Sequence, residues 1–155
     1  MKILDKKRDF ILTVEVRNAN PNGDPLNGNM PRTDYNGYGE ISDVAVKRKI
    51  RNRWQDMGME IFVKSNDRIN DDCRSLEKRF ENKFGKNTKE IDEKIYLDSC
   101  KEWLDVRSFG QVITFQKKSI GIRGPISISL AKSISPVIVQ TMQITRSTNG
   151  EEKEG

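Results

Sequence analysis

Apolar and polar residues alternate along RDFILTVEVRNAN, residues 8–20. Phe10, Leu12, Val14 and Val16 share one parity; Thr13, Glu15 and Arg17 share the other, where Ile11 is the one apolar residue. A period of two predicts a half-buried strand. The pattern stops at NANPNGDPLNGNMPRTDYNGYG, residues 18–39, which offers almost nothing to bury. Its Asn, Gly and Pro residues predict a run of turns, because Gly and Asn accept positive φ and Pro presets a turn. From residue 41 the period changes. In ISDVAVKRKIRNRWQDMG the residues Val46, Ile50, Trp54 and Met57 recur at helical spacing. Ser42 suits the N-cap, Asp43 suits the positive end of the helix dipole, and Gly58 suits the stop.

Residues 64–94 are strongly polar, yet Leu76, Phe80 and Phe84 form a short helical stripe. They predict an amphipathic helix from Cys73 to Phe84, and EIDEKIYLDSCKEW predicts a second short one. Val112 and Ile113 begin a strand. Two more strands are predicted downstream. Ile126, Ile128 and Leu130 alternate with serines, and Ile138, Met142 and Ile144 share a face. Gly121, Gly124 and Pro125 mark a turn before the first, and Ser135-Pro136 breaks the chain between them.

The order is strand, long loop, helix, polar insertion, strands. That is an α+β pattern, and a β-α-β-β run begins a ferredoxin-like or RRM-like unit that one more helix and strand would close. The expected division is a core portion from residues 1–57 and 101–146, a polar helical insertion at 58–100 packed outside it, and a flexible tail at 147–155.

Charge sharpens this picture. The 155-residue chain is 34% hydrophobic and 33% charged, with a formal net charge of +5 and a pI near 9.2. Residues 61–100 carry nine basic and nine acidic side chains, whereas residues 101–146 carry seven basic and two acidic. Positive charge is therefore concentrated outside the polar middle, which suits a polyanionic partner. The densest cluster is Lys47, Arg48, Lys49, Arg51 and Arg53, with no acid among them. Lys47 and Arg51 stand four residues apart and share a helix face. A solvated helix face is the bland reading; a phosphate-binding face is the sharper one.

Catalytic chemistry is hard to place. Histidine is absent, which removes the commonest general acid or base and the commonest metal ligand. Cys73 and Cys100 are too few for a disulfide framework or a Cys-rich zinc site and read as reduced thiols. No nucleophile–base pair, metal cluster or cofactor motif emerges, and no Gly-Lys-Ser/Thr follows the loop glycines as a Walker loop requires. Asp71-Asp72 and Asp92-Glu93 read as solvated surface. Asp24 and Asp34 cap turns, or hold a divalent cation in a nuclease reading. No apolar run approaches the roughly 18 residues of a membrane span, and the first ten residues lack a signal-peptide core, so a cytoplasmic location without membrane attachment is expected. A polar loop, a basic helix and the aromatic side chains of Tyr35, Tyr38 and Phe109 together suit a single-stranded nucleic acid.

Five motifs in series carry a resemblance: NPNGDP, GNMPRTD and SDVAVKRKIRN within 20–52, WLDVRSFGQV at 103–112, and GIRGPISI at 121–128. They resemble the backbone subunit of the type I-C CRISPR interference complex (Cascade), in the RAMP superfamily. The matches follow family order and correspond to the N-terminal half of its length. The resemblance implies an incomplete RRM-like core with inserted loops. It also implies a non-catalytic antiviral subunit that polymerises head to tail along crRNA and supports pairing of the guide with target DNA. Its partners would be crRNA, target DNA through the guide duplex, copies of itself and other Cascade subunits. By motif match, Lys47, Arg48 and Arg51 are the expected phosphate contacts. Asn18, Asn20, Asn22 and Arg32 lie in the matching loop; Arg107, Gln111 and Arg123 lie in the later motifs. The alternatives are a metal-dependent RAMP-type ribonuclease using a loop Asp, or a truncated fragment that only oligomerises.

Overall fold

A computed structural model describes residues 5–148 of the chain. They divide into two compact units, one drawn from residues up to Glu40 and from Lys132 onward, the other from Ile41–Ala131. The architecture is α+β, with four α-helices and three two-stranded sheets among the described residues.

In the first unit the Asn/Gly/Pro stretch is not slack. Strand β1 (Gly23–Asp24) pairs antiparallel with β2 (Met30–Pro31), Gly23 facing Pro31 and Asp24 facing Met30. A single 3-10 turn, Pro25–Asn27, joins them. Its sequence dictates it: Pro25 fixes φ at the first position, and the Asp24 carboxylate accepts from the Leu26 N–H at 3.1 Å. Gly28 and Asn29 then take left-handed φ of 56° and 58°, which those residue types tolerate. A second turn follows, closed by a bridge between Thr33 and Gly39. It leads into β3 (Tyr38–Ile41), which pairs with β6 (Ala131–Pro136).

In the second unit, α1 (Asp43–Asp56) begins where the sequence predicts, with the Ser42 hydroxyl accepting from the Ala45 N–H at 3.2 Å. It stops at Met57, and Gly58 takes φ 77°. Helices α2 (Leu76–Phe84) and α3 (Asp92–Glu102) match the two expected in the polar region. A fourth, α4 (Leu104–Phe109), runs straight into β4 (Gly110–Ile113), which forms an antiparallel hairpin with β5 (Ile120–Arg123). The core gathers Phe62, Phe80, Ile95, Trp103, Val106, Ile113, Ile120 and Ile122. Residues 58–100, expected as an outer insertion, thus supply Phe62, Phe80 and Ile95 to the centre of this unit. Their segment also carries its own ionic lock. Buried Arg79 donates to both oxygens of Asp71, at 2.6 and 2.9 Å, and to the carbonyls of Phe62 and Cys73. A polar sequence here means paired charges around a small apolar centre.

Three expected strands are corrected. Residues 10–16 do not join a sheet, and Phe10, Ile11, Leu12, Val14 and Val16 are all exposed. Alternation supplies one apolar face, but a strand also needs a neighbour for its backbone and a layer to cover that face; every described sheet has two strands and none includes this segment. Residues 126–130 are likewise not a strand. The Ile126 N–H is instead committed to the Ser108 carbonyl at 3.0 Å. The strand forms later, at Ala131–Pro136, and Ile138, Met142 and Ile144 beyond it are exposed. Of the expected tail, residues 149–155 lie outside the described residues.

Candidate nucleic-acid interface

The first unit holds four of the expected contacts, Asn18, Asn20, Asn22 and Arg32, and two of them have structural duties. The Asn20 amide donates to the Asn29 carbonyl at 2.8 Å, tying the start of the loop to its hairpin. Asn22 donates to the Gly23 carbonyl at 3.1 Å, and its own carbonyl accepts from the Arg32 N–H at 2.9 Å. The Asn29 side chain occupies the space a Cβ on Gly23 would need, so that glycine is dictated by close approach. Asn18 is exposed with φ 49°, and Arg32 is exposed with only a 3.9 Å contact to Glu40. Asp34 sits at the centre of the second turn. One oxygen accepts from the N–H groups of Asn36 and Tyr38 at 2.9 and 3.0 Å, and the other from the Lys132 ammonium at 2.7 Å. The Lys132 hydrogen bond, with help from those amides, holds its carboxyl below the usual value. Asp34 thus acts as a turn centre. Tyr35, at the tip of this turn, is fully exposed.

In the second unit the motifs WLDVRSFGQV and GIRGPISI meet. Gly110 opens β4 with φ 80°, a conformation side chains rarely adopt. A Cβ there would overlap the Ile122 carbonyl oxygen and the Gly124 nitrogen; a Cβ on Gly124 would overlap the Ser108 carbonyl oxygen and the Gly110 nitrogen. The two glycines let backbone touch backbone where α4 turns into β4 beside the end of β5. Beside this crossing lies an open cleft of about 720 Å³, whose lining includes Lys47, Phe109, Gln111, Arg123, Gly124 and Ser127. Three expected contacts from three separate stretches of sequence therefore share one surface. Lys47 bonds Asp43 at 3.1 Å and keeps its ammonium 5.9 Å from the Phe109 ring centroid. Gln111 donates to the Val112 carbonyl. Arg123 is exposed and makes no ion pair among the described residues. Arg107 is exposed on α4 but is not part of the cleft wall.

The remaining cations of α1 divide by direction. Arg48 donates to the Val63 carbonyl at 2.7 Å, and burial, then the neighbouring Arg51 charge, lowers its pKa. Arg51 bonds the Asp105 carboxylate at 2.8 Å. Lys49 and Arg53 stay exposed. Asp105 is the residue that sequence reasoning did not single out. It is fully buried and accepts from the Phe62 N–H at 2.7 Å, the Val63 N–H at 3.0 Å and Arg51. Its signal was available: one carboxylate between Trp103, Leu104 and Val106 is an acid in an apolar run, and a buried acid requires partners. Among the described residues no group of three His, Cys, Asp or Glu is placed to hold a metal ion, and no helix is long and apolar enough to cross a membrane.

The chain is similar to known proteins. The family described as CRISPR-associated protein Cas7 matches residues 6–155. Over 59 residues the sequence is 39% identical to the CRISPR-associated protein Cas7 of Haloferax volcanii, an alignment that takes in 37% of this chain and 17% of that relative. The match thus spans less than a fifth of the relative's length.

Proposed function

The chain belongs to the CRISPR-associated Cas7 family, and from that premise we propose that it is a non-catalytic RNA-binding backbone subunit whose cleft beside α4, β4 and β5 receives the phosphate backbone of a guide RNA. The observation that carries the reading is the convergence of Lys47, Gln111 and Arg123 on one open surface. Two cations and an amide suit a sugar–phosphate chain, and neither cation is withdrawn into the core. Lys49 and Arg53, exposed on the same helix, and the chain's net charge of +5 add to the attraction. In the first unit, Arg32 and Asn18 are the expected contacts left most accessible, while Asn20 and Asn22 shape the loop.

The finer reading follows the sequence motifs. The chain serves a type I-C Cascade complex, its RRM-like core corresponds to the N-terminal half of the family, and copies assemble along the guide while it pairs with target DNA. Base pairing would then read sequence, and this protein would read backbone and shape.

Fluorescence anisotropy with labelled single-stranded RNA at several salt concentrations tests the cleft. The wild-type chain should bind with little sequence preference and weaken as salt rises. The double variant Lys47→Glu/Arg123→Glu should weaken binding by more than about tenfold and flatten the salt dependence. Reversing Arg48 and Arg51 as well would confound the result, because Arg51→Glu would set a second carboxylate against buried Asp105. Unchanged affinity in the double variant, or wild-type binding indifferent to salt, sinks the proposal.

A further inference from the structure

Arg51 lies in the most basic stretch of the chain, yet its side chain is only 12% exposed and does not line the cleft. Its Nε is held by an Asp105 oxygen at 2.8 Å, and that carboxylate is itself fixed by the N–H groups of Phe62 and Val63. The anchor is therefore built from a second segment of chain. On the other side, the guanidinium carbon stands 5.1 Å from the centroid of the Phe109 ring. Trp54 stacks on the same ring at 5.2 Å with 22° between planes, and the Lys47 ammonium approaches it at 5.9 Å. Residues 47, 51 and 54 are spaced i, i+4 and i+7, so one face of α1 grips one aromatic ring. Phe109 and Lys47 both line the cleft. Asp105 and Arg51 stand one layer behind them.

We infer that Arg51 is a positioning residue for the cleft: anchored on buried Asp105, it fixes the Phe109 ring and through it the Lys47 ammonium, and it governs binding of the RNA backbone without meeting a phosphate. The inference rests on the reading of the cleft given above. Drawing Arg51 out to a phosphate would strand a fully buried carboxylate without its cation, a larger loss than one exposed contact returns. A planar guanidinium also suits an aromatic face in a way that an ammonium does not.

The test separates contact from positioning by salt slope. Each phosphate contact removed lowers the slope of log affinity against log salt by about 0.7 for a single strand. Lys47→Met should show that loss. Arg51→Met should weaken binding of single-stranded RNA by about tenfold and, because it acts through Lys47, should add little further loss of affinity or slope in the Lys47→Met background. Asp105→Asn should behave alike, and the double variant Arg51→Met/Asp105→Asn should be no weaker than either single. Arg51→Lys keeps a cation on Asp105, so it should keep the melting temperature and still lose part of the affinity. A further slope loss of about 0.7 when Arg51→Met is added to Lys47→Met makes Arg51 a direct contact and overturns the inference. So does full affinity in Asp105→Asn.

A second readout needs no RNA. The ring signals of Phe109 in carbon-13 NMR should move in Arg51→Met and Arg51→Lys and stay put in the exposed control Arg53→Met. Phe109 signals unmoved in Arg51→Met also overturn the inference. A wild-type chain that binds no RNA would instead sink the cleft reading and leave this readout to decide the positioning.

Discussion

A single residue's meaning here depends on which of its atoms are already committed. The five cations of α1 look alike in sequence, and their density was legible. Their division was not, because it depends on a carboxylate 54 residues from Arg51 and a carbonyl 15 residues from Arg48. The same holds for Asp71, which composition assigns to a solvated polar stretch. It accepts two hydrogen bonds from Arg79, whose side chain is 6% exposed, and one from Lys64. The Arg79 hydrogen bonds, with those from Lys64 and the Cys73 N–H, hold the Asp71 carboxyl well below the usual carboxylate range. A depressed folded pKa contributes stability that is present above the unfolded value of about 3.9 and is lost as pH falls through the folded one. Asp71→Asn leaves Arg79 without its partner and should cost about 3–5 kcal/mol near neutral pH. The gap in melting temperature between wild type and Asp71→Asn should therefore shrink as pH is lowered from about 5 toward 2. A gap independent of pH would show that the pair does not couple to folding.

Elements were legible where their signals were local. The helix α1 announces its cap, stripe and stop within 17 residues, and α2 and α3 appear despite a polar background. Helix α4 was hidden, since it has six residues, too short for a periodic stripe, and the valine and phenylalanine after Trp103 fit a strand equally well. What fixes α4 against β4 is the crossing of Gly110 and Gly124, which a scan of either motif alone does not reveal. Gly124→Ala meets backbone atoms that cannot rotate away and should cost about 1–3 kcal/mol or more, with Gly110→Ala strained further by its positive φ. Gly121→Ala in β5 meets nothing within 4 Å and should leave the urea midpoint nearly unchanged. Equal midpoints for Gly124→Ala and Gly121→Ala would mean the two motifs are not locked at this point.

Across the whole chain, the strongest periodic pattern did not become structure. Residues 10–16 alternate more cleanly than β4 or β5, yet Ile11 is 94% exposed while Ile113 and Ile122 are buried. The difference is non-local. The segment Gly110–Arg123 contains both strands of its hairpin and packs against Phe62, Phe80 and Trp103. A sequence pattern states which face could be buried, not whether a neighbouring strand is present to bury it. Hydrogen exchange makes the contrast measurable. Backbone amides of β4 and β5 should exchange slowly, and those of residues 10–16 and 138–144 near the rate of an unstructured chain, because paired and buried amides must open before they exchange. Dilution should leave both rates unchanged if the exposed segments stay unpaired. Protection of residues 10–16 that rises with protein concentration would place a strand of another copy along them, since an unpaired apolar strand edge templates that contact. Equal protection at every concentration in residues 10–16 and in β4 would show that the segment joins a sheet within its own chain and that Phe10, Leu12 and Val14 are covered there.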